Sequence, residues 1–442
     1  MPSPVRIGLL GCGVVGAGFL RLLGERTRAA EDAVGAPLRV TRLAVRDPKK
    51  RRAVDLEGVD VTTDPMEVAA AEDVDLLVEL MGGAEASYAP VKRALDRGAS
   101  VVSANKHLLS IHGPELEALA RARGVALRYE ASVAGVIPVL QALDHGLRTE
   151  RFTLLVGILN GTTNYILSTM EREGRDFGEA LEAARELGFA EADPTLDLSG
   201  EDTAQKLTIL ARRAFRAPVP HGSIPTEGIV GMELEDLRQA DRFGYVVKLL
   251  GIGMRTDEGI DLRVHPAFIP RRYLLASVRD EFNGVYLRGD ASGSMLLYGK
   301  GAGALPTGQA VLGDVLAVAR EIRLREAAGA GAAPHGGPEP RARGGGDRPE
   351  DERLPSDLVR TKYYVRLLVE DQPGVLAQIA HRLGASRVSV AQMFQAPGVR
   401  GEASITILTH ETRDREARDA IQAIASLPAV RKSPRAIRIF DL

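Results

Sequence analysis

The sequence predicts an α/β protein in three parts, with a parallel-sheet nucleotide-binding unit at its front. Three observations carry this. Short apolar runs alternate with helical segments over residues 5–130, a glycine-rich turn joins the first run to the first helix, and a compact βαββαβ order follows residue 359. A chain of 442 residues suggests about three domains at ~100–200 residues each.

Val5–Leu10, Arg39–Val45, Val74–Leu80, Val101–Ser103 and Ala126–Tyr129 read as strands. Between them Val14–Leu23, Ala89–Arg97 and Pro114–Arg123 carry apolar residues at helical spacing. Such alternation favours a parallel sheet with helices on both faces. Residues 131–302 change character. Longer helices (Tyr165–Glu173, Phe177–Leu187, Glu201–Phe215) mix with later strands at Tyr245–Gly251 and Met295–Tyr298, which describes a second, α+β unit. Pro306–Arg323 reads as a helix returning to the first unit. Residues 326–358 are mostly Ala, Gly, Pro, Arg and Glu, too poor in large apolar side chains to offset ordering entropy, and read as a flexible linker. Order returns with a strand at Tyr364–Val369, a helix at Val375–Leu383, strands near 387–395 and 402–409, a helix near 413–426 and a last strand.

The composition, 45% hydrophobic and 26% charged, is that of a globular protein. With 57 basic against 59 acidic residues, no strong field points to nucleic acid or an anionic membrane. One cysteine, Cys12, excludes an intramolecular disulfide and a thiolate metal cluster. The N-terminus lacks the pattern of an export signal, and no run reaches the ~18 apolar residues of a membrane span, so a cytoplasmic address is expected.

Gly11-Cys-Gly-Val-Val-Gly16 follows a strand and opens a helix, the context in which such a loop binds a dinucleotide. Gly11 and Gly13 permit a tight turn and close approach of backbone N–H groups, including those of Val14 and Val15, to a pyrophosphate. Gly16 lets helix and strand pack closely, and the helix N-terminus favours the anion. The second strand ends at Arg46, where an acid would accept from a ribose hydroxyl and an arginine pairs with a 2′-phosphate. Lys49, Lys50, Arg51 and Arg52 follow. NADP(H) is therefore expected, with Asp47 leaving NAD(H) open.

Reduction of a carbonyl builds charge on its oxygen and needs a cation or proton donor there. The eight scattered histidines give no zinc ligand set, and Cys12 is committed to the glycine loop, which argues against thioester chemistry. Tyr88 and Lys92 have the Tyr-x-x-x-Lys spacing, but Pro90 lies between them, and Lys92 reads as a surface lysine. Two lysines remain. Lys106 follows an apolar strand at the carboxyl end of the sheet, where α/β folds place ligands. Lys206 lies four residues after Asp202 on one helix face. Spacing equally allows a surface ion pair, with Ser199 to Asp202 as a capping box. The carboxylates of Glu191, Asp193, Asp197, Glu201 and Asp202 could hold a substrate ammonium or serve as caps, and spacing does not choose.

Taken together, Gly11–Gly16, Ser103-Ala-Asn-Lys106, Glu130-Ala-Ser-Val-Ala-Gly135, Leu159-Asn-Gly-Thr-Thr-Asn-Tyr165, Ala190-Glu-Ala-Asp-Pro, the Asp197/Gly200/Asp202/Lys206 array and Gly301-Ala-Gly-Ala-Leu-Pro-Thr307 resemble homoserine dehydrogenases, in family order along the chain outside the linker. The resemblance implies NAD(P)H-dependent, reversible reduction of L-aspartate 4-semialdehyde to L-homoserine. It implies that Lys106 and Lys206 are the catalytic pair, with Asp202 steering Lys206, that Glu191 and Asp197 meet the substrate, and that Lys106 and Gly303 approach the cofactor. It further implies a structural monovalent cation (Na+ or K+) held by Glu130 and carbonyls of Val133, Gly135 and Ile137, although Val136 replaces a glycine usual in that loop.

The C-terminal part, through Leu367-Leu-Val-Glu-Asp371-Gln-Pro-Gly374-Val-Leu, resembles an ACT domain of ferredoxin-like order. This implies an amino-acid effector, threonine by pathway logic, at Asp371, Gly374 and Val375. The expected organisation is a Rossmann-type domain at 1–135 completed by 303–325, a substrate and dimerisation domain at 136–302, the linker at 326–358 and the ACT domain at 359–442. A homodimer or homotetramer is expected. The rival class is a cofactor-binding amino-acid sensor without turnover.

Overall fold

A computed structural model describes residues 2–52, 54–328, 352–398 and 401–441. In chain order the strands and helices begin β1 (Val5–Leu10), α1 (Val14–Glu25), α2 (Thr27–Val34), β2 (Leu38–Ala44), β3 (Asp60–Thr62), α3 (Pro65–Ala70), β4 (Leu76–Glu79), α4 (Glu85–Asp96), β5 (Ser100–Ser103), α5 (Lys106–Arg123), β6 (Leu127–Arg128), α6 (Val139–Gln141) and β7 (Phe152–Ile158). They continue with α7 (Gly161–Glu173), α8 (Phe177–Glu186), α9 (Thr195–Leu198), α10 (Glu201–Phe215), α11 (Leu234–Arg242), β8 (Tyr245–Thr256), β9 (Gly259–Pro270), β10 (Phe282–Gly289), β11 (Gly293–Lys300) and α12 (Ala304–Ala328). The last are β12 (Arg360–Glu370), α13 (Val375–Ala385), β13 (Val390–Pro397), β14 (Glu402–Thr409), β15 (Thr412–Arg413), α14 (Asp414–Ala425) and β16 (Val430–Ile439).

The described residues form two compact units. The first draws on the described residues within 2–161, 202–223 and 281–328. Its main sheet has the order β3-β2-β1-β4-β5-β6, with every pairing parallel. Both faces are covered. Ile7, Leu9, Leu43 and Val78 pack with Phe19 and Leu22 of α1 and Val311 and Val315 of α12, while Leu10, Leu77 and Val101 pack with Val91 and Leu95 of α4 and Leu108 of α5. The continuous apolar strands follow from that double cover. The α12 helix does return to this unit. It crosses α1 so closely that a Cβ on Gly18 would stand 2.2 Å from the Ala304 carbonyl oxygen. A smaller antiparallel set, β11-β10-β7, completes the unit.

The second unit draws on the described residues within 162–201, 224–280 and 352–441. Its β8–β9 hairpin joins the C-terminal strands through a short parallel pairing of β9 with β16. The order continues β16-β12-β14-β13, all antiparallel, with α13 and α14 closing a core of Val365, Leu367, Ile379, Ile405 and Ile424. This is the expected βαββαβ unit.

Several boundaries differ from the expectations. The α5 helix begins at Lys106, eight residues before Pro114, and carries that proline inside. The strands β7, β9 and β10 were missed, and β9 is buried from Gly259 to Pro270, so it lacks the alternation that signals a half-exposed strand. The linker is shorter than 326–358. Its first residues continue α12, and its last are placed, with Leu354 buried, its N–H donating to the Ile260 carbonyl of β9, and the Ile260 N–H donating to the Glu352 carbonyl. The stretch 329–351 lies outside the described residues. The first compact unit runs on to Gly161 and takes back 202–223. Among the described residues no helix is long and apolar enough to cross a membrane.

Candidate active site

The strand order places β1 and β4 side by side where the chain's direction of progress reverses, and ligands of open α/β sheets bind outside the carboxyl ends of the strands at such a point. Gly11 follows β1 with φ +91°, and a Cβ there would stand 2.7 Å from the Leu80 carbonyl oxygen. Gly16 lies on α1, where a Cβ would meet the Gly11 carbonyl oxygen at 2.5 Å. Gly13 differs, since nothing lies within 4 Å of a Cβ built on it, and it caps α1 from outside the helix. Open space over an N-terminus whose first residue, Val14, is exposed is the cradle a pyrophosphate needs, and Val15 lies only partly buried beside it. These residues therefore fit a dinucleotide. Arg46 is exposed just beyond β2. Burial raises the Cys12 thiol, with Arg52 beside it lowering it, so Arg52 reaches the glycine loop. Gly303, with φ +115°, leads into α12.

The chemistry-bearing side chains meet on α5 and α10. Lys106 is the first residue of α5, and Asn105 caps that helix by accepting from the Leu108 N–H at 3.1 Å. A lysine in the first turn opposes the helix dipole, so its place there needs a counter-charge. Asp202 supplies it. Its Oδ1 lies 2.9 Å from Lys106 Nζ and its Oδ2 2.7 Å from Lys206 Nζ. Lys206 also donates to the Leu159 carbonyl at 2.7 Å, and Asn160 Nδ2 donates to Asp202 Oδ2 at 2.8 Å. Burial alone would raise the Asp202 carboxyl, but Lys206, Lys106 and Asn160 together hold it well below the usual carboxylate range. The surface-pair and capping-box readings both fail here. Asp202 is only 4% exposed, and the Ser199 N–H donates to the Thr195 carbonyl of α9.

Two contributors escaped the sequence reading. Asn160 stood there only inside a quoted string. Glu79, at the end of β4 and wholly buried, accepts from Ser103 Oγ at 2.7 Å, Ser87 Oγ at 2.9 Å and the Met81 N–H at 2.9 Å, and Asn105 Nδ2 lies 3.4 Å away. It ties the β4 and β5 ends to the cap of the Lys106 helix. A lone acid closing an apolar strand was the available signal.

Lys92 is the surface residue it was taken for, bonded to Glu115 at 2.9 Å and Tyr88 at 3.1 Å on a half-exposed flank. Glu191 and Asp197 belong to the second unit. Glu191 is exposed, and Asp197 accepts from Thr162 Oγ1 at 3.2 Å.

In the expected cation loop, Ala134 and Gly135 both adopt left-handed backbone. The Glu130 carboxylate accepts from the Leu140 and Gln141 N–H groups at 2.8 and 2.7 Å. Burial pushes it up to about 7 and its neighbour Asp314 up to about 6. Val133, Gly135 and Ile137 are buried, and the Ile137 carbonyl accepts from the Val139 N–H. Buried acids without a full counter-charge, beside a turn rich in carbonyls, fit a hard monovalent cation. In the C-terminal unit Asp371 is exposed after β12, Gly374 caps α13 at φ +91°, and Val375 is buried.

Residues 11–130 match the family "Homoserine dehydrogenase, NAD binding domain", residues 138–316 the family "Homoserine dehydrogenase" and residues 363–429 the ACT domain. The chain is 39% identical over 441 residues to a homoserine dehydrogenase of Neisseria gonorrhoeae, covering 100% of this chain and 99% of that one. It is 36% identical to one of Bacillus subtilis, covering 98% of each. Among solved structures, a homoserine dehydrogenase from Thiobacillus denitrificans superposes with TM-score 0.91 at 42% identity, covering 99% of this chain and 98% of that one. One from S. aureus gives TM-score 0.76 at 31% identity over 100% of both.

Proposed function

Because the chain belongs to the homoserine dehydrogenase family and is an NAD(P)-dependent oxidoreductase with an ACT domain, we propose that its reaction, the reversible reduction of L-aspartate 4-semialdehyde to L-homoserine, is carried by Lys106, Asp202 and Lys206. The observation that supports this is one buried carboxylate between two ammonium groups at 2.9 and 2.7 Å. When bound, the nicotinamide supplies or removes hydride at the substrate carbon. Lys106 stabilises the negative charge that grows on the substrate oxygen, aided by the α5 N-terminus. Lys206 delivers the proton to that oxygen, and takes it back in the reverse direction, while Asp202 and the Leu159 carbonyl aim its ammonium group. Glu191, supported by Asp197, holds the substrate ammonium.

The cofactor lies on Gly11, Gly13, Val14, Val15 and Gly16, with Gly303 and Lys106 alongside. Arg46 favours NADP(H) over NAD(H). Glu130 with the carbonyls of Val133, Gly135 and Ile137 holds Na+ or K+ as a structural ion. Asp371, Gly374 and Val375 bind threonine, which lowers activity. A homodimer or homotetramer in the cytoplasm is the assembly this reading implies, with the exposed outer strand β13 as an edge that a second copy could extend.

The test is absorbance at 340 nm as the full-length protein oxidises L-homoserine with NADP or NAD. A rise with homoserine that Lys206→Ala abolishes supports the reading. A rise that survives Lys206→Ala removes the proposed proton path. No rise at all favours a sensor without turnover.

A further inference from the structure

Helices α5 and α10 carry the two halves of the site, and side chains register them at three points. At their starts Lys106 meets Asp202. Eleven residues further along each helix, Glu117 meets Arg213 at 3.0 Å, and Arg213 also reaches Asp144 at 3.7 Å. Equal spacing on both means that the helices run in the same direction, with the two ion pairs about 16 Å apart along their axes.

Between these pairs lies a defect. Pro114, inside α5, has no N–H, so the carbonyl of Ser110 four residues earlier loses its helical donor. Ser110 is fully buried, where an unsatisfied carbonyl is costly. Arg212 of α10 fills the gap. Its Nη2 donates to the Ser110 carbonyl at 2.7 Å and its Nη1 to the Leu109 carbonyl at 3.0 Å. The same guanidinium donates twice to the Val219 carbonyl, at 2.8 and 2.6 Å, which anchors it to the segment leaving α10. Leu109 and Ser110 lie about one turn from Lys106.

We propose that Arg212 is a positioning residue for the reaction: by occupying the Ser110 carbonyl that Pro114 opens in α5, and the Leu109 carbonyl beside it, it fixes that helix on α10 and so sets the Lys106–Asp202 contact. The fixed fork of an arginine spreads its donors over three nitrogens in one plane, whereas a lysine's three donors all leave one nitrogen. The inference rests on the proposed role of Lys106.

The test compares wild type, Arg212→Met, Arg212→Lys and Pro114→Ala/Arg212→Met. Acetic anhydride labelling of Lys106 is read by mass spectrometry against Lys92 in the same sample, and kcat for homoserine oxidation is read beside it. Arg212→Met raises Lys106 labelling several-fold and lowers kcat by at least about tenfold, because sub-ångström misplacement of a reacting group carries that scale of loss. Arg212→Lys falls between. With Pro114→Ala the helix supplies its own donor to Ser110, and labelling and kcat both return more than halfway to wild type. Unchanged labelling and kcat in Arg212→Met overturn the inference. So does an equal loss with and without Pro114, which would make Arg212 a general stabiliser. If wild type turns over no homoserine, the proposed function fails, while the labelling comparison still decides the role of Arg212.

Discussion

Replacing Asp202 by asparagine tests the site at its centre. Asp202 Oδ2 accepts from both Lys206 and Asn160, whereas Oδ1 lies 2.9 Å from Lys106 Nζ. An asparagine can keep one oxygen, and the better place for it is the doubly donated position. Its amide NH2 then faces the Lys106 ammonium, donor against donor. The Lys106 side chain is 41% exposed, so it swings into solvent instead of tolerating that contact. A hydrogen bond to a charged group is worth about 1.5–3 kcal/mol. Discounted for the exposure of Lys106, the lower end applies, so kcat falls roughly tenfold. The assay is initial velocity at 340 nm with homoserine and NADP, run for Asp202→Asn, Lys106→Ala and the double variant. Since Asp202→Asn acts by displacing Lys106, the double variant is little worse than the worse single one. Wild-type kcat in Asp202→Asn, or fully additive losses, would refute the reasoning.

Four further outcomes follow. Gly16→Ala forces a Cβ against the Gly11 carbonyl and destabilises the fold by about 1–3 kcal/mol. Gly13→Ala projects into open space, so thermal unfolding shows an unchanged Tm while titration shows weaker NADP binding. Arg46→Ala lowers kcat/KM with NADP about tenfold and leaves NAD little changed, provided the guanidinium pairs with the 2′-phosphate; equal effects on both cofactors would remove that role. Lys248 is 1% exposed, bonded to Asn164 Oδ1 at 2.9 Å, and burial lowers it to about 8, with Arg279 and Arg271 adding to the effect. Below pH 8 both folded and unfolded chains carry the proton and the full cost stands. Between about 8 and its ordinary value near 10.5 the unfolded chain holds more protons, so this group makes stability rise with pH. Urea unfolding of Lys248→Met against wild type at pH 7 and pH 10 therefore shows the variant's relative stability falling by about 2–3 kcal/mol at the higher pH.

The first unit was legible because its signals are local. Gly11, Gly13 and Gly16 each answer a separate steric demand within one turn, and parallel strands buried on both faces appear as plain apolar runs. The Lys106–Asp202–Lys206 cluster was only half legible. Asp202 and Lys206 share a helix, so their spacing is visible, but Lys106 lies about a hundred residues away, and nothing local says that α5 and α10 meet. Spacing thus could not separate an active site from a surface ion pair, and only the burial of Asp202 between the two lysines removes the second reading. Pro114 misled for a physical reason. Proline inside a helix is tolerated when another group takes the stranded carbonyl, and that group, Arg212, is remote in sequence. The β9 strand was missed because burial of every residue erases its period of two.

The C-terminal unit raises the question of how a bound amino acid could be felt beyond its own loop. Several contacts tie it to the rest of the second unit, and two of them lie on its central strands. The Arg438 and Ile439 positions of β16 pair with Ala267 and Phe268 of β9, and the Phe268 ring lies 4.7 Å from that of Tyr364. On β12, Arg366 bonds Glu233 at 2.7 Å and Asp236 at 3.0 Å, the acids that open α11, while Lys432 also reaches Glu233. Asp236 is wholly buried; burial raises it and Arg366 and Arg435 lower it. Asp371 begins the candidate effector loop just after β12 ends. A ligand that shifts the end of β12 must therefore disturb Arg366 or be absorbed before reaching it. Coupling requires that the ligand favour one arrangement of this joint over another. Arg366→Gln keeps a hydrogen-bonding side chain but removes the charge. If the joint carries the signal, this variant binds threonine by calorimetry as wild type does, while its homoserine turnover no longer responds. A variant that binds threonine and still responds to it would remove the Arg366 joint from the coupling.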